Sequence, residues 1–262
     1  MLQVLGYCFA LLIGLILGLV GSGGGILAVP VLVYLFGLDT MVATVYSLFV
    51  VGISSAVAGV RYWQRREVEW PIVLRFGLPA VCSIIFTKRV LLPLIPQEIG
   101  VFGGVVVTKS FLIMLLFAIL VLISGFSMLK REKITKPTRN YPMYFLSIFG
   151  LVGGLITGLM GAGGGFVIVP AVVHIGRLTM KTAMATSIVI IAFNTLLGFL
   201  GSFSSIGIDW PFLLSLTTIS VAGIYLGTAL SSRLSNQHLK HIFGWFVLAV
   251  GLFMFIKELF FR

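Results

Sequence analysis

Residues 18–30 read GLVGSGGGILAVP and residues 158–170 read GLMGAGGGFVIVP, a constant offset of 140 with eight of thirteen positions identical. The same offset pairs Gly14-Leu15-Ile16 with Gly154-Leu155-Ile156, Ala43 with Ala183, Ser47 with Ser187, and Trp70-Pro71 with Trp210-Pro211. Self-similarity at a fixed offset marks a duplicated structural unit. Copy one occupies residues 1–130, a basic linker 131–140, and copy two residues 141–262. Copy one also carries about fourteen extra residues near GVFGGVVVTKS.

The solvent of this chain follows from its composition. Of 262 residues, 59% are hydrophobic and 10% charged, more apolar surface than a soluble domain of this size can bury. Five apolar segments recur in each copy, at 3–20, 25–36, 41–60, 71–90 and 108–129, then at 143–160, 165–175, 182–200, 211–230 and 241–259. Most are long enough to cross the roughly 30 Å hydrocarbon layer as helices, and unpaired backbone groups cannot face lipid. The expected fold is an all-α polytopic membrane protein. Cys8 and Cys82 fall inside these runs without Cys-x-x-Cys or Cys/His spacing, so neither a disulfide nor a metal is expected. No cofactor is implied.

Each glycine cluster separates a first apolar segment from a second of about twelve residues, too short to span as ordinary crossings do. Either the pair is one broken crossing or the chain reverses at the glycines. If it reverses, each copy crosses an odd number of times and the two copies are inverted. Twelve Lys and Arg then share one face: Arg61, Arg65, Arg66, Lys130, Arg131, Lys133, Lys136, Arg139, Arg177, Lys181, Arg233 and Lys240. The other face holds five; a simple kink gives ten against seven. The positive-inside bias favours inversion, with linker 130–139 cytoplasmic in a multi-pass protein of the cytoplasmic (inner) membrane.

Interrupted helices at matching places in inverted halves point to a transport site near the midplane, because non-helical backbone there must line protein or water. The short helices would present free N–H groups to an anion. Gly21, Ser22, Gly23, Gly24 and Gly25 with Gly161, Ala162, Gly163, Gly164 and Gly165 form the expected cradle, and Pro30 and Pro170 shape the short helices. Close helix packing is the competing reading for such glycines. Ser47, Ser54, Ser187 and Asn194 recur at the same offset as candidate lining donors, although such groups often bond their own helix. Arg75, just inside its helix, is a candidate pathway charge.

All seven acids, Asp39, Glu67, Glu69, Glu98, Glu132, Asp209 and Glu258, fall in loops or at segment ends. Cation carriers commonly keep a carboxylate in the membrane, so the pattern favours an anion. No HExxH or GxSxG occurs, and no enzyme is expected. The expected partners are a small anionic substrate and membrane lipid, with no nucleic acid; a homo-oligomer is left open.

The paired motifs GSGGGILAVP and GAGGGFVIVP, with Ala185-Thr186-Ser187 after the second, resemble the TauE/SafE sulfite exporter family over nearly the whole chain. The resemblance implies a permease for sulfite, organosulfonates or related organic anions. An anion channel and a non-catalytic partner subunit remain the alternatives. The symmetry lapses at Tyr46, where copy two has Thr186, which breaks hydroxyl-for-hydroxyl equivalence there.

Overall fold

The fold is that of a computed structural model, which describes residues 2–21, 24–102, 105–129, 143–160, 164–176, 178–202, 207–231 and 234–260. The first copy comprises α1 (Leu2–Val20), α2 (Gly24–Tyr34), α3 (Thr40–Gln64) and α4 (Trp70–Phe86). A π-helical turn (Thr87–Leu91) carries α4 into the short α5 (Leu92–Leu94), and after strands β1 (Glu98–Phe102) and β2 (Val105–Thr108) comes α6 (Lys109–Leu129). The second copy comprises α7 (Met143–Met160), α8 (Gly165–His174), α9 (Met180–Leu200), α10 (Trp210–Ser231) and α11 (Asn236–Phe260). Among the described residues six helices are long and apolar enough to cross a membrane. Their outer faces carry large apolar side chains such as Leu78, Phe86, Leu200 and Leu226, as lipid requires. Cys8 and Cys82 sit on this exposed perimeter.

Chain direction can be read from which residues meet. Gly21, at φ +86°, ends α1, and its N–H still bonds the Leu17 carbonyl at 2.9 Å. The chain then turns back, because Gly24 lies against Ile13 and Leu17, and Phe36 reaches the level of Gly6 and Tyr7. Helix α3 returns in the direction of α1, with the Tyr62 hydroxyl donating to the Gly18 carbonyl at 3.2 Å. The break is therefore a reversal, and α2 is an antiparallel neighbour of α1.

Helix pairing crosses the two copies. Helix α1 runs parallel to α10: a Cβ at Gly14 would meet the Ser220 carbonyl, and one at Gly18 would meet Ile224 and Thr228. The equivalent glycines, Gly154 and Gly158, press α7 onto Ala80 and Thr87, so α7 runs parallel to α4. Small residues here let backbones touch. The central pair is α3 and α9, the most buried spans. Gly59 faces Ile188 and Val189, Gly52 faces Thr195 and Leu196, and Phe49 stacks near Phe199 at 5.0 Å, an antiparallel register. Helices α6 and α11 are antiparallel too, with Gly125 at Leu248 and Gly244 at Leu129.

The extra residues of copy one add one small element to the helical fold. They form the antiparallel hairpin β1–β2, where the β-branched run Val105–Thr108 favours an extended chain. Lys109 ties it down, its ammonium donating to the carbonyls of Leu92 and Ile95 and its backbone N–H to Gln97.

Candidate functional site

On α3, Thr44, Ser47, Val51 and Ser54 stand at i, i+3, i+7 and i+10, one face of the helix. On α9 the same face, 140 residues on, carries Met184, Ser187, Ile191 and Asn194. Ser47, Ser54, Ser187 and Asn194 are each 0% exposed, so each polar group needs a protein partner. On α3 they have one: Thr44 donates to the Thr40 carbonyl at 2.7 Å, Ser47 to the Thr44 carbonyl at 2.8 Å, and Ser54 to Ser220 Oγ at 3.0 Å. On α9 the Ser187 hydroxyl and both polar atoms of the Asn194 amide have none. Ser55, also fully buried, is a further orphan. Each such group costs about 1–3 kcal/mol of folding free energy.

Three turns from Asn194 the α9 face opens on a cavity of about 100 Å³, lined by Tyr62, Arg65, Glu67, Lys181, Met184 and Ser231. Tyr62 fixes its floor through Gly18 and a 3.3 Å contact with Ser231 Oγ. The turn after α3 aims its acid. Arg66 takes φ 58°, a left-handed conformation that costs a non-glycine residue about 1–2 kcal/mol. Its N–H bonds the Trp63 carbonyl and that of Glu67 the Tyr62 carbonyl, a Schellman closure that folds Glu67 back. Arg61 turns away, donating to Thr228 at 3.1 Å and lying 3.8 Å over the Tyr225 ring.

Of the expected cradle, Ser22, Gly23, Gly161, Ala162 and Gly163 lie outside the described residues. Gly21 rests against Met184 beside the cavity, and Met184 is ten residues, about 15 Å, along α9 from Asn194. The first break thus lies beside the start of α9, apart from Asn194. Gly24 and Gly25 are buried at the start of α2, and a Cβ on Gly24 would strike Ile13 and Leu17. Gly164, at φ +63°, caps α8 against Thr157, with Gly165 the first helical residue. Gly24 and Gly164 are close-packed within their own hairpins. Pro30 and Pro170 lie inside α2 and α8. Arg75 is half-buried near the start of α4, where its carbonyl accepts from Ser147 at 3.2 Å.

The opposite end of α3 is sealed by rings. Tyr7, Phe36, Phe212 and Tyr46 form one aromatic chain and Phe49, Phe199 and Trp210 another. Here Tyr46 and Thr186 do the same work after all: the Asp209 N–H donates to Tyr46 at 2.7 Å and the Glu69 N–H to Thr186 at 3.1 Å. Each hydroxyl caps the Trp-Pro helix start of the other copy. Sequence reasoning missed this pair, and it missed Tyr62, Glu67, Met184 and Ser231, which converge only on folding. The described acids lie in turns, in β1 or at helix ends, Glu258 accepting from Tyr34 at 3.1 Å. Among the described residues no group of His, Cys, Asp and Glu is placed to hold a metal.

A family model described as "Sulfite exporter TauE/SafE" matches residues 7–254. A "Probable membrane transporter protein" of Xylella fastidiosa is 27% identical over 252 residues, covering 93% of this chain and 91% of its own. One of Methanocaldococcus jannaschii is 26% identical over 270 residues, with 94% of each chain covered. A Bacillus subtilis relative of the same description is 25% identical over 275 residues, covering 94% and 96%. No solved structure matches. A buried polar face, a basic cavity and six apolar spans suit solute passage rather than catalysis, and this chain belongs to the TauE/SafE family of membrane transporters.

Proposed function

We propose that the chain is a secondary transporter, built of two inverted repeats, that moves small sulfur-containing or organic anions such as sulfite or organosulfonates across the cytoplasmic membrane. The observation that carries this reading is Asn194, a wholly buried amide with no partner at the crossing of α3 and α9. A buried polar group without a protein partner calls for an explanation, and a bound solute supplies one. An oxyanion is such a solute: the amide N–H groups and the Ser187 hydroxyl donate to it without a fixed charge, so it is held firmly enough to bind and loosely enough to leave. In a low-dielectric interior these donors gain strength. The α9 face between Met184 and Asn194 carries no acid, so a cation finds no counter-charge on it.

Inversion is supported by equivalent helices meeting head to tail, α3 with α9 and α6 with α11, and by the odd number of crossings that the Gly21 reversal gives each copy. Arg65 and Lys181, from different copies, share one cavity, in keeping with a basic cytoplasmic face that includes linker 130–139. Gly21 forms the rim of the path on that side, with Ser47 and Ser54 on α3.

The test is flux. Liposomes containing only this chain are loaded and assayed with a panel of labelled sulfite, sulfonates, carboxylates and sodium. Saturable movement of sulfur anions, with sodium excluded, is the expected result. Movement of none of the panel ends the proposal, and rates that rise linearly with concentration make the chain a channel.

A further inference from the structure

The cavity beside Gly21 combines two cations and one acid in a space that neither the family nor the α9 face explains. Its walls come from α3, the turn after it, the start of α9 and the end of α10: Tyr62, Arg65, Glu67, Lys181, Met184 and Ser231. Arg65 and Lys181 against Glu67 leave a net charge of +1 (two minus one). Its volume of about 100 Å³ exceeds that of several water-sized groups. The hydroxyls of Tyr62 and Ser231 stand together at 3.3 Å on one wall, and Met184 on another begins the face that leads to Ser187 and Asn194. The acid is held there by a strained turn, since Arg66 accepts φ 58° to fold Glu67 inward. Backbone strain kept beside a charged cavity is a mark of a working site.

The geometry points to a capture site for a monoanionic oxyanion of the sulfonate class, the first station on the way to Ser187 and Asn194. This assignment rests on the transport reading above for the onward step, though binding in the cavity stands independently of it. The guanidinium of Arg65 offers a planar fork for two oxygens and Lys181 a point charge, the pairing suited to a tetrahedral –SO3⁻ head. Glu67 is the selectivity element. With it, one negative charge neutralises the cavity; a dianion such as sulfate brings a second, which lies against the carboxylate. Lipid phosphate shares this oxyanion chemistry, and the cavity lies among helix ends, so the experiment separates the two sources.

Purified protein in nanodiscs of zwitterionic lipid is titrated with methanesulfonate and with sulfate, reading thermal stabilisation, and liposome flux of both labelled anions is measured in parallel. Wild type is expected to be stabilised by methanesulfonate at lower concentration than by sulfate. Arg65→Gln and Lys181→Gln should each raise the half-saturating methanesulfonate concentration about tenfold, the size of one lost charge-assisted contact. Glu67→Gln should narrow the preference for methanesulfonate over sulfate about tenfold. Arg65→Lys, which keeps the charge, controls for folding. Unaltered half-saturation in both glutamine variants of the cations, or an unaltered preference in Glu67→Gln, overturns the capture site. Stabilisation by anionic lipid in place of methanesulfonate makes it a headgroup site and overturns the capture role. Methanesulfonate binding that Lys181→Gln abolishes, without flux of any panel anion in wild type, supports the site while ending the transport reading.

Discussion

Helices α3 and α9 hold equivalent places in the two halves and differ in how they treat buried polar side chains. Along its inner face α3 closes every hydrogen bond it opens, through Thr40, Thr44 and Ser220. Along the matching face α9 leaves Ser187 and Asn194 open. Under the proposed function the difference is one of role: copy one is scaffold and copy two carries the groups that a ligand completes. Only Ser55 blurs the division, and its α9 counterpart, Thr195, bonds the Ile191 carbonyl at 2.6 Å.

The hardest test of the comparison is Asn194→Leu, which keeps the branched shape and removes the amide. If Asn194 serves a ligand, flux falls roughly ten- to a hundredfold while the protein gains stability, since an orphan costing about 1–3 kcal/mol has gone. A melting temperature higher by a few degrees is expected in a thermal scan of detergent-purified protein. Lower stability together with lower flux would mean that the amide is a structural strut, and the contrast between the helices would disappear.

A smaller effect sharpens it. Ser187→Ala is expected to lower flux about tenfold without loss of stability, whereas Ser47→Ala should leave flux within about twofold and cost about 1 kcal/mol, because its hydroxyl is spent on the Thr44 carbonyl. Equal responses of the two serines, in flux and in melting temperature, would erase the distinction that their surroundings draw.

Much of this architecture was legible in one dimension. The offset of 140 located both breaks, and apolar runs gave helices such as α7 (Met143–Met160) and α6 (Lys109–Leu129) nearly to the residue, because membrane spans are set by hydrophobic length. The charge count pointed to reversal at the glycines, which the meeting of Phe36 with Gly6 and Tyr7 bears out. What sequence could not tell was which polar group is satisfied. Ser47 and Ser187 are identical letters at equivalent positions, yet Ser47 bonds the carbonyl three residues before it and Ser187 does not. The cavity was hidden as well, its six residues lying as far apart as Tyr62 and Ser231. Close packing, the competing reading for the glycines, holds at Gly14 and Gly24, which press on backbone from α10 and α1 and leave no room for a side chain.

The smallest expected effect probes the part of the duplication that stayed symmetric. Tyr46 and Thr186 look unlike in sequence, yet each accepts a backbone N–H from the residue before a Trp-Pro helix start, Asp209 and Glu69 in turn. Proline at the second helical position removes one donor that would need capping, so the N–H just before the helix is the one still to be paired. Tyr46→Phe keeps the ring beside Phe212 and Thr186→Val keeps the branch, so each isolates one hydroxyl. Each should cost about 1 kcal/mol, a melting temperature lower by roughly 2–4 °C, with flux per folded molecule unchanged. Because the two bonds lie at opposite ends of the α3–α9 pair, the double variant should show the sum of the two losses. A loss confined to one end would mean that the capping symmetry is geometric only, and that the halves diverged in their scaffold as well as in their polar faces.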